Sequence, residues 1–558
     1  MTQEIHLPFD VELAPVTILK AGELTCMYEL GKLRYIRRGN TELIRMIYGA
    51  VRNEHWGTLP YSIEDEQVSI QNESFSIQYT AVYMQQAAVY KAYFNIEGKP
   101  DNTISFSMKG EALAAFQKNR IGICVHHPIK ECSGQTVMIT GPDGHVYQST
   151  FPQMLSPRQP FHDIQQMKWS TVDNTAVQLF FEGDIFETED QRNWSDSSYK
   201  TYSTPLHIPF PVNILPGDTM QQKISLVACN NTGNAEQATE NIQEEKISFP
   251  KIGYSRSVNP ARLTPAEILF LQKIPFHHYR IMLLMDDTAW EQELDAALTE
   301  ALQLHTVLEL VVFFSDQFND ELRRLLSVLV KKQELLYSIL VLQKKHPVSS
   351  PDLLSRVYPL IKKMLPAIQI GYGTDFNFVD LNRQQPVDTI FDFVSYSLHP
   401  QAHMADNRSI LENLDNQPDM VTTAKNFASG KPVFVSPVTL KDRYDPAGPD
   451  ERQYTAMAAW WTLMSMQQLA MSGSITFYEL FGESGLLRIN KNQKGETISI
   501  QPSLVYEMLA AIHNFQPLWI IKRYVNRNVL PDGLLLENAK GGRLFFKAPA
   551  ELVGFKNQ

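Results

Sequence analysis

Apolar and polar residues alternate in short runs through the first part of the chain, and the period changes near residue 250. Gln67–Tyr90 sets Val68, Ile70, Phe75, Ile77 and Tyr79 among polar neighbours, and Thr103–Lys109, Thr136–Thr140, Ala176–Phe181 and Gln222–Ala228 continue the period of two. Turn-forming runs divide them, at Gly98–Asn102, Gly141–Gly144 and Pro216–Asp218. Many short strands with polar turns between them predict an antiparallel β-sandwich over residues 1–247.

A polar stretch from Asn230 to Glu245 marks a domain edge. Beyond it, β-rich runs alternate with stretches of helical apolar spacing. The strand candidates are Ile252–Ser255, Tyr279–Met285, Leu308–Phe314, Tyr337–Leu342, Ile368–Tyr372, Phe391–Tyr396, Val433–Pro437 and Ile475–Glu479. Between them fall Thr264–Lys273, Ala289–Leu304, Asn319–Lys331, Pro351–Met364, Ser409–Phe427 and Glu451–Met471, while Val379–Pro386 carries the weakest helical pattern. Thr264-Pro265-Ala266-Glu267 has the residues of a helix start: a capping threonine, proline at the first helical position and glutamate at the third.

Eight βα alternations without a Gly-x-Gly-x-x-Gly turn predict a central (β/α)8 TIM-like barrel over 248–515, with an open parallel sheet as the alternative. The tail, 516–558, reads as a short C-terminal β segment with turns at Asp532-Gly533 and Gly541-Gly542. It is too small to bury a core alone and is expected to pack on the barrel or the sandwich. The fold class is multidomain α and β.

Composition narrows the partners. The chain has 558 residues, too many for one core, and is 44% hydrophobic and 20% charged, as in an ordinary globular protein. A net charge of −11 with no basic run argues against nucleic acid and against an anionic membrane surface. No apolar run is long enough to span a bilayer, and the opening residues lack the pattern of a signal peptide, so a cytoplasmic location is expected. Cys124 and Cys132 flank His126, His127 and Glu131, but the spacing fits no usual zinc pattern, and with Cys26 and Cys229 they read as buried free thiols. Neither a metal nor a cofactor is expected. The absence of Gly-x-Ser-x-Gly and His-Glu-x-x-His disfavours serine-hydrolase and zincin chemistry.

In a barrel of this kind the active site lies at the C-terminal strand ends. There the sequence places Ser255, Asp286, Asp287, Ser315, Asp316, Asp375, Asn377, His399, His403, Ser436, Thr439, Glu479 and Glu483. Glu479 ends a strand that should be buried on both faces, so neighbours can tune its carboxyl; an ion pair with a barrel arginine such as Arg280 is its structural alternative. Asp375 sits among Gly371 and Gly373, which permit close backbone approach to a ligand, and could equally cap the next turn. His399-Pro-Gln-Ala-His403 is broken by its proline, so a helical metal pair is disfavoured and one histidine serves better as proton donor or oxyanion partner.

One further stretch stands out. Glu187-Thr-Glu-Asp-Gln-Arg-Asn-Trp194, with Asp196 and Tyr199-Lys-Thr-Tyr202, mixes charges and aromatics more densely than a solvated loop does. It reads either as a loop cross-braced by its own ion pairs or as the wall of a carbohydrate-sized polar site. This segment resembles the signature of the D-apionate lactonase family, and His127-Pro128, Ser156-Pro157 through Pro160-Phe161, Leu398–His403 with Asp406-Asn407, and Thr476–Glu479 resemble other parts of it.

The resemblance implies an N-terminal β domain, a TIM-type barrel and a C-terminal β piece, and hydrolysis of the lactone of a branched-chain sugar acid. On that expectation Glu479 or Asp375 is the general base and His399 or His403 the acid or oxyanion donor. Glu187, Asp190, Arg192, Asn193 and Lys200 are expected to grip substrate hydroxyls, with Asn377 and Tyr478 completing the contacts. The expected partner is a small carbohydrate or sugar-acid lactone. A glycoside hydrolase with paired carboxylates, or a non-catalytic carbohydrate-binding protein, are the alternatives.

Overall fold

The computed structural model describes residues 2–8, 13–230, 242–257, 262–387, 390–492, 497–525, 528–529 and 532–549. Most of the polar domain edge expected at Asn230–Glu245, residues 231–241, lies outside the described residues. The chain divides into two compact units: Leu13–Arg192 with Ser197–Gln237, and Met1–Glu12, Asn193–Asp196 and Ala238–Gln558.

The N-terminal unit holds two nine-stranded antiparallel sheets. One runs from Phe161–Ile164 through Phe186–Asp190, Ser198–Tyr202 and Phe116–Pro128 to Thr17–Ala21; the other runs from Val146–Thr150 to Tyr61–Ile70. The predicted period of two is visible in burial: in Ala87–Lys99, Tyr90, Ala92, Phe94 and Ile96 are buried and join one core with Ile44, Ile47 and Val51 of Thr41–Asn53. Close packing fixes a glycine there. A Cβ on Gly49 would stand 2.4 Å from the Phe94 ring.

In the second unit eight parallel strands close a barrel: β1 (Lys251–Ser255), β2 (His278–Leu284), β3 (Val307–Phe314), β4 (Leu336–Gln343), β5 (Gln369–Asn377), β6 (Phe393–Leu398), β7 (Val433–Val438) and β8 (Ser474–Phe477). Each coincides with a run expected from the sequence, and the closed ring excludes the open sheet. The helices between them include α1 (Pro265–Leu271), α2 (Trp290–Leu304), α3 (Phe318–Leu329), α4 (Pro351–Met364), α5 (Phe378–Arg383), α6 (Gln417–Phe427) and α7 (Ala456–Gln468), and α8 (Leu504–Phe515) follows β8. Thr264 and Glu267 form the expected capping box at α1. No helix of the described residues is long and apolar enough to cross a membrane.

Inside the barrel, Phe393 and Phe434 stack at 4.1 Å and join Val311, Phe313, Leu340 and Leu342 in a packed core. Gly371 is required by this packing: a Cβ would meet the Phe393 ring at 2.4 Å, and one on Gly373 would meet the Ser395 backbone. The neighbouring strand therefore occupies the room that the sequence reading gave to a ligand.

The C-terminal strands Pro517–Val525, Gly533–Asn538 and Arg543–Lys547 do not stand alone. Ile242–Ser248 pairs with the first and Thr2–His6 runs parallel to the last, and Asn528–Val529 completes a six-stranded sheet around Ile521, Leu535 and Phe545. Gly533–Asn538 touches α7, whose thirteen residues, Ala-Met-Ala-Ala-Trp-Trp-Thr-Leu-Met-Ser-Met-Gln-Gln, are all buried. A helix apolar on nearly every face needs cover on all sides, and this sheet supplies part of it.

Candidate active site

Buried charge runs up the barrel interior in alternating sign. His278 Nε2 lies 3.0 Å from Glu309 Oε2 and 2.7 Å from the Thr476 hydroxyl, and Ser436 also bonds to Glu309. Arg280 Nε stands 3.7 Å from Glu309, and its Nη2 donates to Asp375. Asp375, fully buried, also receives Arg443 Nη2 at 2.6 Å and the Tyr444 hydroxyl at 2.9 Å. Pairing every member is what makes such burial tolerable. Histidine and serine bonds and nearby cations hold the Glu309 carboxyl below its usual range against the opposing effect of burial.

At the end of β6 the chain leaves the barrel as a loop, and His399 is its first residue. Among the described residues neither ring nitrogen has a hydrogen-bond partner, and the residue is 7% exposed. Burial, the largest influence, depresses its pKa, with Asp442 and Asp196 pulling it up and Arg443 pushing it further down. His399 is therefore a neutral imidazole with one donor and one acceptor unspent.

His403, on the same loop, sets Nδ1 2.6 Å from Asp196 Oδ2, with both side chains largely buried. Trp194 packs edge-on against the imidazole at 6.0 Å, and Asn413 Nδ2 reaches Asp196 Oδ1 at 3.4 Å. Asn193 accepts from Asn382 at 2.8 Å. Asn193–Asp196, from the middle of the signature segment, thus counts with the barrel unit.

Glu479 is buried just beyond β8 and is held by a turn, its carbonyl accepting from Leu486 N–H at 3.0 Å. Burial, followed by the charge of Glu479, pushes the neighbouring Tyr478 phenol up to about 12. Arg280, the expected structural partner of Glu479, has Asp375 and Glu309 as its ion-pair partners. Asn377 is half-buried as the N-cap residue of α5.

Other rim candidates have local partners: Asp286 with Lys344, Ser315 with Glu321 and Glu483 with Arg488.

The remaining expected contacts lie in the N-terminal unit, and each is buried among partners there. Asp190 and Arg192 form a bidentate pair at 2.8–2.9 Å, with Arg192 also bonded to the carbonyls of Pro152 and Gln153 and stacked on Tyr199. Glu187 accepts from the Tyr202 hydroxyl at 2.6 Å and from Leu206 N–H at 2.7 Å. Lys200 pairs with Glu189. This is the cross-braced arrangement. His127 of the His-Pro motif is also internal: its Nε2 lies 2.7 Å from the Thr201 hydroxyl, and burial pushes its pKa down to about 3.

Arg443 and Tyr444 escaped the sequence reading. Their only signal was a Lys-Asp-Arg-Tyr-Asp run, 441–445, past the end of β7.

A closed (β/α)8 barrel that gathers carboxylate, imidazole and guanidinium groups at its C-terminal mouth, in a chain that also carries a two-sheet unit, has the build of a multidomain barrel hydrolase. The chain belongs to the D-apionate lactonase family: the model of that family's N-terminal domain matches residues 7–231, and the model of its TIM barrel domain matches residues 252–516. A D-apionate lactonase from Brucella anthropi is 28% identical over 455 residues, which is 78% of this chain and 74% of its own. Among solved structures, an alpha-L-arabinofuranosidase from Thermotoga maritima in complex with arabinose aligns at 10% identity with a TM-score of 0.40, over 54% of this chain and 83% of its own. A family 51 alpha-L-arabinofuranosidase from Bifidobacterium longum aligns at 8% identity with the same TM-score and shares.

Proposed function

We propose that this protein is a carboxylic-ester hydrolase that opens the lactone ring of a sugar acid, of the D-apionolactone kind, by acid–base chemistry at the barrel mouth. Family membership supports the lactone class. The observation that carries the chemistry is the pair of histidines on one loop, His399 with both nitrogens unspent and His403 fixed by Asp196 at 2.6 Å.

In this reading Glu479 takes a proton from water as the water oxygen attacks the carbonyl carbon. His399, neutral, donates toward the carbonyl oxygen. His403 gives its proton to the departing ring oxygen, with Asp196 fixing its tautomer and orientation. Asp375 already holds two guanidiniums, which favours a positioning role over proton abstraction.

Proton release from a sugar-acid lactone, measured beside colour release from nitrophenyl glycosides, tests the class. Glu479→Gln and His399→Ala test the roles: each should lower lactone turnover by about 100-fold or more, the usual contribution of a positioned acid or base. Full rates in both folded variants would remove these assignments, and glycoside cleavage without lactone opening would move the protein to glycoside hydrolysis.

A further inference from the structure

A buried guanidinium is tolerated where a carboxylate meets it, as Glu29 meets Arg34 at 2.6 Å, Asp190 meets Arg192 at 2.8 Å and Asp375 meets Arg280. Two arginines of the N-terminal unit break this pattern. Arg52 and Arg120 are 7% and 5% exposed, and neither forms an ion pair among the described residues. They are also neighbours, being register partners on the strands Thr41–Asn53 and Phe116–Pro128. Val51 and Ile121 beside them enter the core, so both arginines project side by side from the other face of the sheet. Their hydrogen bonds run to neutral carbonyls: Arg52 Nη1 to Trp56 at 3.2 Å, and Arg120 to Asn119 at 2.7 Å, Pro205 at 2.7 Å and Ile208 at 3.1 Å. Burial lowers the Arg120 pKa, with Tyr202, Glu187 and Asp184 opposing it from beyond bonding distance.

Unspent groups of both kinds gather around this pair. Arg52 Nη2, Arg120 Nε, Asn119 Oδ1 and Glu54 Oε2 are each buried with no hydrogen-bond partner among the described residues. Asn119 donates through its amide nitrogen to the Glu54 carbonyl at 3.1 Å, which places both acceptors at the turn 53–57 that also carries Trp56. Two donors and two acceptors that do not satisfy one another require a bridging partner. Trp56 and Phe210 complete the surroundings. Their rings meet edge-on at 5.0 Å and are 38% and 40% exposed, and the Arg120 guanidinium lies 5.8 and 4.7 Å from their centres. Trp56 holds a left-handed backbone, at φ 67°, which is uncommon for a bulky residue.

We infer that Arg52 and Arg120 form a binding site for a small, singly charged hydroxy acid of the aldonate class. Its carboxylate lies across the two guanidiniums, its hydroxyls donate to Asn119 Oδ1 and Glu54 Oε2, and its carbon face rests on Trp56. Two guanidiniums and the Glu54 carboxylate leave one positive charge, which a monoanion balances and a phosphate dianion exceeds. A carboxylate without hydroxyls would leave both acceptors unspent. Because the four atoms are sealed from solvent, the ligand enters as the turn carrying Trp56 moves aside. Binding here does not depend on lactone hydrolysis.

Calorimetric titration of the full-length protein with sodium gluconate, with sodium acetate and with glucitol, the neutral polyol of the same length, tests the site in the parent and in Arg52→Gln, Arg120→Gln and Trp56→Ala. Gluconate should bind the parent with a Kd of about 1 mM or tighter, and acetate and glucitol at least about tenfold more weakly. Each glutamine variant loses a charge-assisted pair and should bind gluconate at least about tenfold more weakly than the parent; Trp56→Ala should lose about fivefold. No gluconate binding to the parent would overturn the site, and so would gluconate affinity within threefold of the parent in both glutamine variants, since an acid held elsewhere is indifferent to them. Acetate or glucitol binding as tightly as gluconate would overturn the hydroxy-acid assignment. Should neither arginine variant fold, gluconate affinity in Trp56→Ala decides, and an unchanged value would overturn the site.

Discussion

Replacing Asp196 by asparagine isolates the contact that joins the signature segment to the His399–His403 loop. The substitution keeps the side chain's size and its capacity to meet Asn413, but it removes the negative charge 2.6 Å from His403 Nδ1. Hydrogen bonds with a charged partner contribute about 1.5–3 kcal/mol. Here the two side chains are 13% and 5% exposed, so water compensates little and the upper half of that range applies. The amide also presents its N–H₂ or its oxygen without preference, and the imidazole loses its fixed tautomer. A loss of about 2–3 kcal/mol in the transition state corresponds to a kcat lowered by about 30- to 150-fold. Initial rates of proton release from a sugar-acid lactone in weak buffer give the number, and an unchanged thermal melt shows that the fold is intact. An Asp196→Asn protein that turns over within threefold of its parent would refute a role for the Asp196–His403 pair.

Three further outcomes are expected. Burial, aided by Glu42, raises Glu131 in the N-terminal unit from 4.5 to about 7, so the folded state keeps a proton that the unfolded chain has lost. This contribution is complete below pH 4.5 and is lost as pH rises to about 7, amounting to about 3 kcal/mol; denaturant melts should show that slope in the parent and not in Glu131→Gln. Glu309→Gln leaves His278 and Arg280 without their shared carboxylate inside the barrel, and should cost about 3–5 kcal/mol in the same melts. Gly49→Ala forces a methyl to within 2.4 Å of the Phe94 ring and should cost about 1–3 kcal/mol, whereas alanine at the open turn residue Gly39 meets no neighbour within 4 Å and pays only for its left-handed backbone.

The barrel was legible because its strands are buried on both faces and most of its helices, unlike the wholly buried α7, are amphipathic, so the change of period at Lys251 carries the topology. The capping box at Thr264 is local and could be read residue by residue. Strand register placed Asp375, His399 and Glu479 at strand ends, since position along a parallel strand fixes height in a barrel. Contacts between distant segments could not be read in that way. Asp196 and His403 are 207 residues apart, and nothing periodic links them. Arg443 belongs to a loop, where no repeat marks an arginine that pairs with a barrel carboxylate. The glycines of β5 show the converse error: small residues near a candidate acid suggest room for a ligand, and Phe393 and the Ser395 backbone fill it. The density of charge at Glu187–Lys200 marked the segment as unusual without dividing it into the buried braces of the N-terminal unit and the Asn193–Asp196 portion that bears on His403.

A crystal structure of the protein soaked with the ring-opened sugar acid tests the central claim most directly. The account predicts the molecule at the C-terminal mouth of the barrel, beside His399, His403 and Glu479. An acid bound only away from that mouth, or a mouth left empty at saturating concentration, would contradict it.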